Sequence, residues 1–200
     1  MWRLRLPAAK KGIAGMRQEL YAKLRQVRLF VSDVDGTLTD GAMYFSAEGE
    51  LFKRFHTRDG MAIELLHSAG LPTAFLTREN SPIVLARARK LGVHHVILGA
   101  VDKQSALSTL AQQLAVPLEA VAYIGDDLND LPAIEIAGVS ACPADAVPEV
   151  RSRVDYVCSA PGGFGAVREF AELILRAQGH QLEQLVRYGG VAVGASDERA

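Results

Sequence analysis

Two groups of aspartates, one threonine and one lysine are the residues in this sequence whose types and spacing could do chemistry. The first group lies in Ser32-Asp33-Val34-Asp35-Gly36-Thr37, directly after the apolar run Val27 to Val31. Asp33 and Asp35 are two residues apart, so an extended backbone points them the same way. Carboxylates held that close repel unless a cation or a proton lies between them. Gly36 frees the chain to turn, and Thr37 offers a hydroxyl and an amide to an anion. The second group is Gly125-Asp126-Asp127-Leu128-Asn129-Asp130, after the apolar run Val121 to Ile124. Its acids again demand a cation, and oxygen-only ligands favour a hard one such as Mg²⁺. Thr77 ends another apolar run just before Ser81-Pro82. A hydroxyl beside a helix start can seat a phosphate or serve as a plain cap. Lys103 opens a helix, where its charge opposes the macrodipole and needs an anion to offset it.

Together these residues describe metal-assisted phosphoryl transfer. Asp33 is the expected in-line nucleophile, forming an aspartyl-phosphate. Asp35 is the expected acid and then base. The metal set is expected from Asp33, Asp35, Asp126 and Asp130, with Lys103 stabilising the phosphoryl oxygens and Asp127 orienting Lys103.

Such residues work only if strand ends gather them. Apolar runs at 27–31, 71–76, 95–98, 121–124, 139–142 and 155–158 read as buried strands. Between them lie helical stretches at about 61–69, 83–91, 103–114, 131–137 and 147–152, with a last helix to about residue 178. Strands alternating with helices predict an α/β fold, a doubly wound and mostly parallel sheet with right-handed crossovers. Ligands in such sheets collect at the carboxyl ends of the strands. Tyr44-Phe45 and Leu51-Phe52-Lys53-Arg54-Phe55 flank a glycine-containing loop and read as a β-hairpin flap. Thr57 or Asp59 is the expected cap of the helix that follows, and Arg58 serves an anion or pairs with Asp59. Residues 8–26 place Ile13, Met16, Leu20 and Leu24 at helical spacing, an amphipathic helix that docks on the body. The expected division is an N-terminal helix in 1–26, a catalytic domain in 27–179 and a loose tail in 180–200. The glycine-rich stretch 160–168 lacks the lysine of a P-loop. His94 and His95 are adjacent, face opposite ways from a strand and read as structural.

Composition narrows the alternatives. A chain of 200 residues suits one domain with a sizeable core. A formal charge of −1 gives no general attraction to nucleic acid. No apolar run approaches the roughly 20 residues that span a bilayer. Cys142 and Cys158 sit in apolar stretches and read as small buried hydrophobes, which fits a reducing cytoplasm. The basic N-terminus lacks the apolar region of a signal peptide.

In order along the chain, Asp33-Val34-Asp35-Gly36-Thr37-Leu38-Thr39-Asp40, the Thr77 strand end, Lys103 and Gly125-Asp126-Asp127-Leu128-Asn129-Asp130 match the motifs of the haloacid dehalogenase superfamily. The hairpin, His56-Thr57-Arg58-Asp59-Gly60 and the glycine-rich stretch resemble, within it, the 3-deoxy-D-manno-octulosonate 8-phosphate (KDO 8-phosphate) phosphatases. The resemblance covers about residues 27–178. It implies a Rossmann-like fold and Mg²⁺-dependent hydrolysis of a small acidic sugar phosphate. It also implies a homotetramer in which neighbours complete the pocket. Thr57, Arg58, Asp59 and Gly60 match a substrate-contacting segment, and Arg87 matches an arginine that reaches a neighbouring pocket. Arg78, Glu79, Asp127 and Asn129 join the expected substrate-facing set. The intervals between Asp35 and Thr77 and between Thr77 and Lys103 leave no room for a cap domain, so selectivity must come from the hairpin and from adjacent subunits.

One departure bears on substrate choice. The octulosonate enzymes typically carry Thr-Gly-Arg after the second strand, where this chain has Thr77-Arg78-Glu79. A glutamate there resembles phosphatases of nonulosonic acid 9-phosphates, and it favours hydroxyl or amide groups over a carboxylate. Two other classes compete: a phosphoacceptor signalling domain, whose acid pair and phosphorylated aspartate occupy different strands, and a non-catalytic tetramerising regulatory module.

Overall fold

The computed structural model describes residues 13–186, with side chains from residue 18 onward. Residues 8–12 of the expected N-terminal helix, the side chains of Ile13 and Met16, and most of the expected tail lie outside that description.

Six parallel strands form the main sheet: β1 (Leu29–Ser32), β4 (Thr73–Leu76), β5 (His95–Ile97), β6 (Val121–Ile124), β7 (Val139–Cys142) and β8 (Tyr156–Val157). Their order is β5-β4-β1-β6-β7-β8. The chain builds outward from β1 through β4 to β5, then crosses back to β6 and proceeds to β8. The direction reverses at β1, and the carboxyl ends of β1, β4 and β6 therefore open into one crevice. β2 (Tyr44–Ser46) and β3 (Gly49–Phe52) form a separate antiparallel hairpin with a register shift between Tyr44 and Phe45. An isolated bridge between Thr39 and Phe55 closes its base. No cap domain lies among the described residues, as the spacing predicts.

Both sheet faces are covered, which is why the strands are mostly apolar and show no regular alternation with polar residues. Phe30, Phe75, Ala122 and Ile124 face one core, shared with α1 (Ile13–Arg25), α2 (Thr57–Ser68), α3 (Pro82–Leu91) and α7 (Ala166–Ala177). Leu29, Val31, Ala74, Leu76, Val121 and Tyr123 face the other, packed by α4 (Lys103–Gln113), α5 (Leu131–Ile136) and α6 (Pro148–Arg151). Val167, Phe170, Ala171 and Ile174 give α7 an apolar stripe at helical spacing, and all four are fully buried. Truncating Phe170 to alanine would cost about 3–5 kcal/mol. Leu20 and Leu24 of α1 dock on the same core, as their spacing predicts.

Several local expectations change. α2 begins at Thr57, its N-cap is His56, and no side chain caps it. Asp59 instead accepts from the N–H groups of Gly165 and Arg168, so it caps α7, a helix distant in sequence. Part of the expected tail is helical: α8 (Leu182–Leu185) buries Leu182 in the core beside α2 and α7. Cys142 and Cys158 are buried free thiols, and burial pushes Cys142 up to about 12.

Candidate active site

Asp33 follows β1 and is nearly buried, its N–H donating to the carbonyl of Ile124 on β6. That bond joins the strand leading to Asp33 to the strand that carries the second acidic group. Lys103, at the start of α4, places its Nζ 2.6 Å from Asp33 Oδ1 and 2.6 Å from Asp130 Oδ1. Its side chain is fully inaccessible. The anion that a lysine at a helix start requires is therefore a pair of carboxylates. Burial alone would lower the Lys103 pKa, but the two acids outweigh it and raise it.

Asp126 stands beside Asp33. Thr37 donates to Asp126 Oδ1 at 3.0 Å, and the Thr37 amide is taken by the Val34 carbonyl, 3.3 Å away. The expectation that Thr37 would greet an anion is thus corrected: its polar groups shape the loop and hold Asp126. Gly36, at φ +86°, sits so close that a Cβ would lie 2.1 Å from Asp126 Oδ2. Any side chain there would displace the Asp126 carboxylate, and the positive φ is itself strained for a residue other than glycine. The glycine-rich stretch also finds its use: a Cβ on Gly162 would lie 1.7 Å from the Gly36 carbonyl oxygen, and Gly163 N–H donates to Thr37. It is a buttress behind the loop of residues 33–40.

Asp130 is fully buried and completely engaged. Its Oδ1 accepts from Lys103 and from the Tyr123 hydroxyl, both at 2.6 Å; its Oδ2 accepts from the N–H groups of Asp126 and Asp127. Four bonds fill a carboxylate's capacity. Asp130 therefore orients Lys103 and shapes the acidic loop. Asp127, expected to orient Lys103, is exposed and caps a single 3₁₀ turn over Leu128–Asp130. Its side chain cannot both bond the Leu128 amide and reach the buried lysine.

Carboxylate oxygens of Asp33, Asp126 and Asp130 lie within 4.8 Å of one another. Burial, and then Asp130, raise the Asp33 pKa well above the ordinary carboxylate range despite Lys103. The same causes raise Asp126 to about 7. One ammonium among three carboxylates leaves an excess of negative charge that a proton or a cation must cancel. With Asp130 saturated, Asp33 and Asp126 are the carboxylates free to hold a hard cation, and an all-oxygen donor set suits Mg²⁺.

The Asp35 carboxylate turns away from this cluster, against the expectation that it would be a side-chain ligand. Its Oδ1 lies 2.5 Å from Lys53 Nζ and its Oδ2 accepts from Thr77 Oγ1 at 3.2 Å. Thr77 is buried and also accepts from the Glu79 N–H. Lys53 follows β3 and is almost inaccessible, and its second partner is Glu50 at 2.7 Å. Glu50 in turn accepts from the Ser81 hydroxyl, which leaves its own helix α3 uncapped and is not free to seat a phosphate.

Lys53, Glu50 and Tyr123 are site residues that sequence reasoning missed. A tyrosine inside a fully buried strand is a usable signal, because a buried hydroxyl needs a partner. Lys53 offers none, since it follows two exposed residues of a hairpin.

The expected substrate-facing residues divide. Arg78 and Glu79 are exposed at the crevice rim after β4. Thr57 and Arg58 are exposed, and Arg58 pairs with no carboxylate among the described residues. Asp59 and Gly60 are buried and structural: a Cβ on Gly60 would lie 2.5 Å from the Arg87 guanidinium. Arg87 packs within its own chain, 5.5 Å above the Phe55 ring. Asn129 is half-buried and its Oδ1 has no partner among the described residues.

A six-stranded parallel sheet with an aspartate pair at its switch point defines a class, and residues 73–166 match the profile of the haloacid dehalogenase-like hydrolases. The 3-deoxy-D-manno-octulosonate 8-phosphate phosphatase KdsC of Haemophilus influenzae is 44% identical over 78% of this chain and 87% of its own length. That of Escherichia coli K12 is 42% identical over 80% and 86%. The Moraxella catarrhalis enzyme, crystallised with magnesium, phosphate and KDO, superposes with a TM-score of 0.79 at 41% identity, over 81% of this chain and 93% of that one. The cobalt-bound Haemophilus influenzae enzyme gives 0.77 at 44% identity, over 78% and 92%. The chain belongs to the KDO 8-phosphate phosphatase family of the haloacid dehalogenase-like hydrolases.

Proposed function

We propose that this chain hydrolyses 3-deoxy-D-manno-octulosonate 8-phosphate to KDO and phosphate, with Mg²⁺ as cofactor. The observation that carries the reading is the cluster of buried Asp33 and Lys103 with half-buried Asp126, which provides a nucleophile, a fixed cation and a ligand pair at one strand switch point. Asp33 and Asp126 would hold Mg²⁺, which supplies charge neutralisation between the carboxylate and the incoming phosphate. Asp33 attacks phosphorus in line. The phosphorus–oxygen bond to the sugar breaks, and Asp35 gives its proton to the departing C8 alkoxide. Asp35 then takes a proton from water as that water attacks the Asp33 acyl-phosphate, releasing phosphate and restoring both carboxyl groups. Lys103 stabilises the phosphoryl oxygens from a position set by Asp130.

Glu79 at the exposed rim supports a second substrate, a nonulosonic acid 9-phosphate, because a carboxylate there suits hydroxyl or amide groups. The identity to octulosonate phosphatases places the eight-carbon substrate first. The test is phosphate release from KDO 8-phosphate and from the nine-carbon acid phosphates, with Mg²⁺ and with chelator, for the unmodified protein and for Asp33→Asn. The expected result is Mg²⁺-dependent turnover favouring KDO 8-phosphate and abolished by the substitution. A large preference for the nine-carbon acids would reverse the order, and activity equal in the two proteins would overturn the nucleophile.

Residues Met43, Phe45, Leu51 and Phe52 are exposed on the hairpin, and this apolar tip supports assembly into a homotetramer whose neighbours complete the open pocket. No described helix is long and apolar enough to cross a membrane, and a cytoplasmic location is part of the same proposal. Sedimentation at micromolar concentration tests the assembly. A monomer would overturn it.

A further inference from the structure

A second buried lysine bonds the other aspartate of the Asp33-Val34-Asp35 pair, and the reaction outlined above leaves it without a task. Lys53 Nζ sits 2.5 Å from Asp35 and 2.7 Å from Glu50, with its side chain 3% exposed. Burying an ammonium is costly unless it is paired and bonded. Burial alone would lower the Lys53 pKa, yet the two carboxylates outweigh it and raise it. Glu50 is held by both Lys53 and Ser81, and these bonds lower its pKa against the effect of burial. The chain of contacts therefore runs from Ser81 at the start of α3, through Glu50 and Lys53 on the hairpin, to Asp35. Arg54 anchors the hairpin further: it donates to the Gly163 carbonyl at 3.1 Å and lies 4.1 Å over the Phe164 ring.

We propose that Lys53, braced by Glu50 and Ser81, is a positioning residue for Asp35: it sets where that carboxyl group stands when it protonates the leaving oxygen, and so ties acid catalysis to the seating of the hairpin. The proposal deepens the phosphatase reading and rests on it. Lys53 is buried between two acids, so its contacts go to Asp35 and Glu50. Asp35 is the partner that the proposed reaction uses; it directly precedes Gly36 and its side chain is 25% exposed. An ammonium and the Thr77 hydroxyl, one on each carboxylate oxygen, fix it in both position and rotation.

The test uses leaving groups that differ in their need for a proton. A sugar phosphate departs as a poor alkoxide and needs Asp35; p-nitrophenyl phosphate departs as a stable phenolate and does not. kcat/KM reports only the steps up to phosphorus–oxygen cleavage, so later hydrolysis of the acyl-phosphate does not blur the comparison. With full-length protein and Mg²⁺, Lys53→Met is expected to lower kcat/KM for KDO 8-phosphate by about 100-fold, within the range of general acid catalysis. For p-nitrophenyl phosphate the loss should stay under about threefold, and Asp35→Asn should show the same contrast more strongly. Lys53→Arg should restore part of the sugar-phosphate activity. Glu50→Gln, on the hairpin outside the main sheet, should reproduce the contrast more weakly and decides the matter if Lys53→Met does not fold. Equal losses on both substrates, or a rise in KM with kcat unchanged, would overturn the positioning role while leaving the phosphatase reading intact. An unmodified protein inactive on both substrates would overturn that reading and the proposal with it.

Discussion

Lys103 and Lys53 each join an aspartate of the Asp33-Val34-Asp35 pair to a second acid, yet they are mounted on opposite kinds of structure. Lys103 rises from the first turn of α4 between Asp33 and Asp130, with none of the three side chains more than 6% exposed. Asp33 directly follows central strand β1, Asp130 stands just before α5, and the Tyr123 hydroxyl of central strand β6 donates to Asp130. Lys53 comes from a hairpin outside the main sheet, and its partners Asp35 and Glu50 are 25% and 18% exposed. In the proposed reaction the first lysine serves the nucleophile, and the second serves the group that gives up a proton and takes one back. The first is mounted on the main sheet and its helices, the second on a hairpin outside that sheet.

This contrast can be broken or sharpened by experiment. Asp33→Asn should cause the largest loss, at least about 10⁴-fold in turnover of the sugar phosphate, because removing a nucleophile disables the whole unit. Phosphate release under saturating Mg²⁺ measures it.

Lys103→Met should come next and should act on stability as well as rate. It leaves two buried carboxylates without their counter-charge, a loss of about 3–5 kcal/mol that a denaturant midpoint will read. Lys53→Met, at the wetter and more separable site, should cost no more than about 2 kcal/mol. Equal destabilisation by the two would erase the distinction drawn between sheet and flap.

Gly36→Ala tests the place of Asp126 in the metal set. Its Cβ would displace Asp126, and the Mg²⁺ concentration for half-maximal activity should rise by about 10–100-fold. An unchanged Mg²⁺ requirement would remove Asp126 from the ligand set.

Acidity offers a milder test of the same centre. Without metal, Asp126 is raised to about 7 and Asp33 is raised as well, so the native state holds protons that the unfolded chain has released. Stability of the chelator-treated protein should therefore be greatest below about pH 4, as far as these groups go, and should fall as pH rises through about 7. Mg²⁺ replaces those protons, so its stabilising effect should be larger at pH 8 than at pH 5.5. Melting temperatures across that range, with and without Mg²⁺, give the answer. Tyr123→Phe should be the smallest change, about 1–2 kcal/mol, with the lysine still bonded to Asp130.

The residues themselves carried a great deal. Apolar runs ending in Asp33, Thr77 and Asp126 announced parallel strands and a shared crevice, because strands buried on both faces cannot place acids anywhere but at their ends. The need of Lys103 for an anion followed from its place at a helix start. Other facts depend on which distant segments meet. Asp59 looks like a local cap until α7 arrives beside it. Asp127 and Asp130 are alike as letters, and only the depth of Tyr123 and Lys103 decides that Asp130 is the buried one. Lys53 follows exposed residues of a hairpin and becomes an active-site group only when the flap folds down on Asp35. Periodicity and strand-end chemistry are local and survive in a one-dimensional reading; the pairing of charges across 18 or 70 residues is set by packing, and packing exists only in the folded chain.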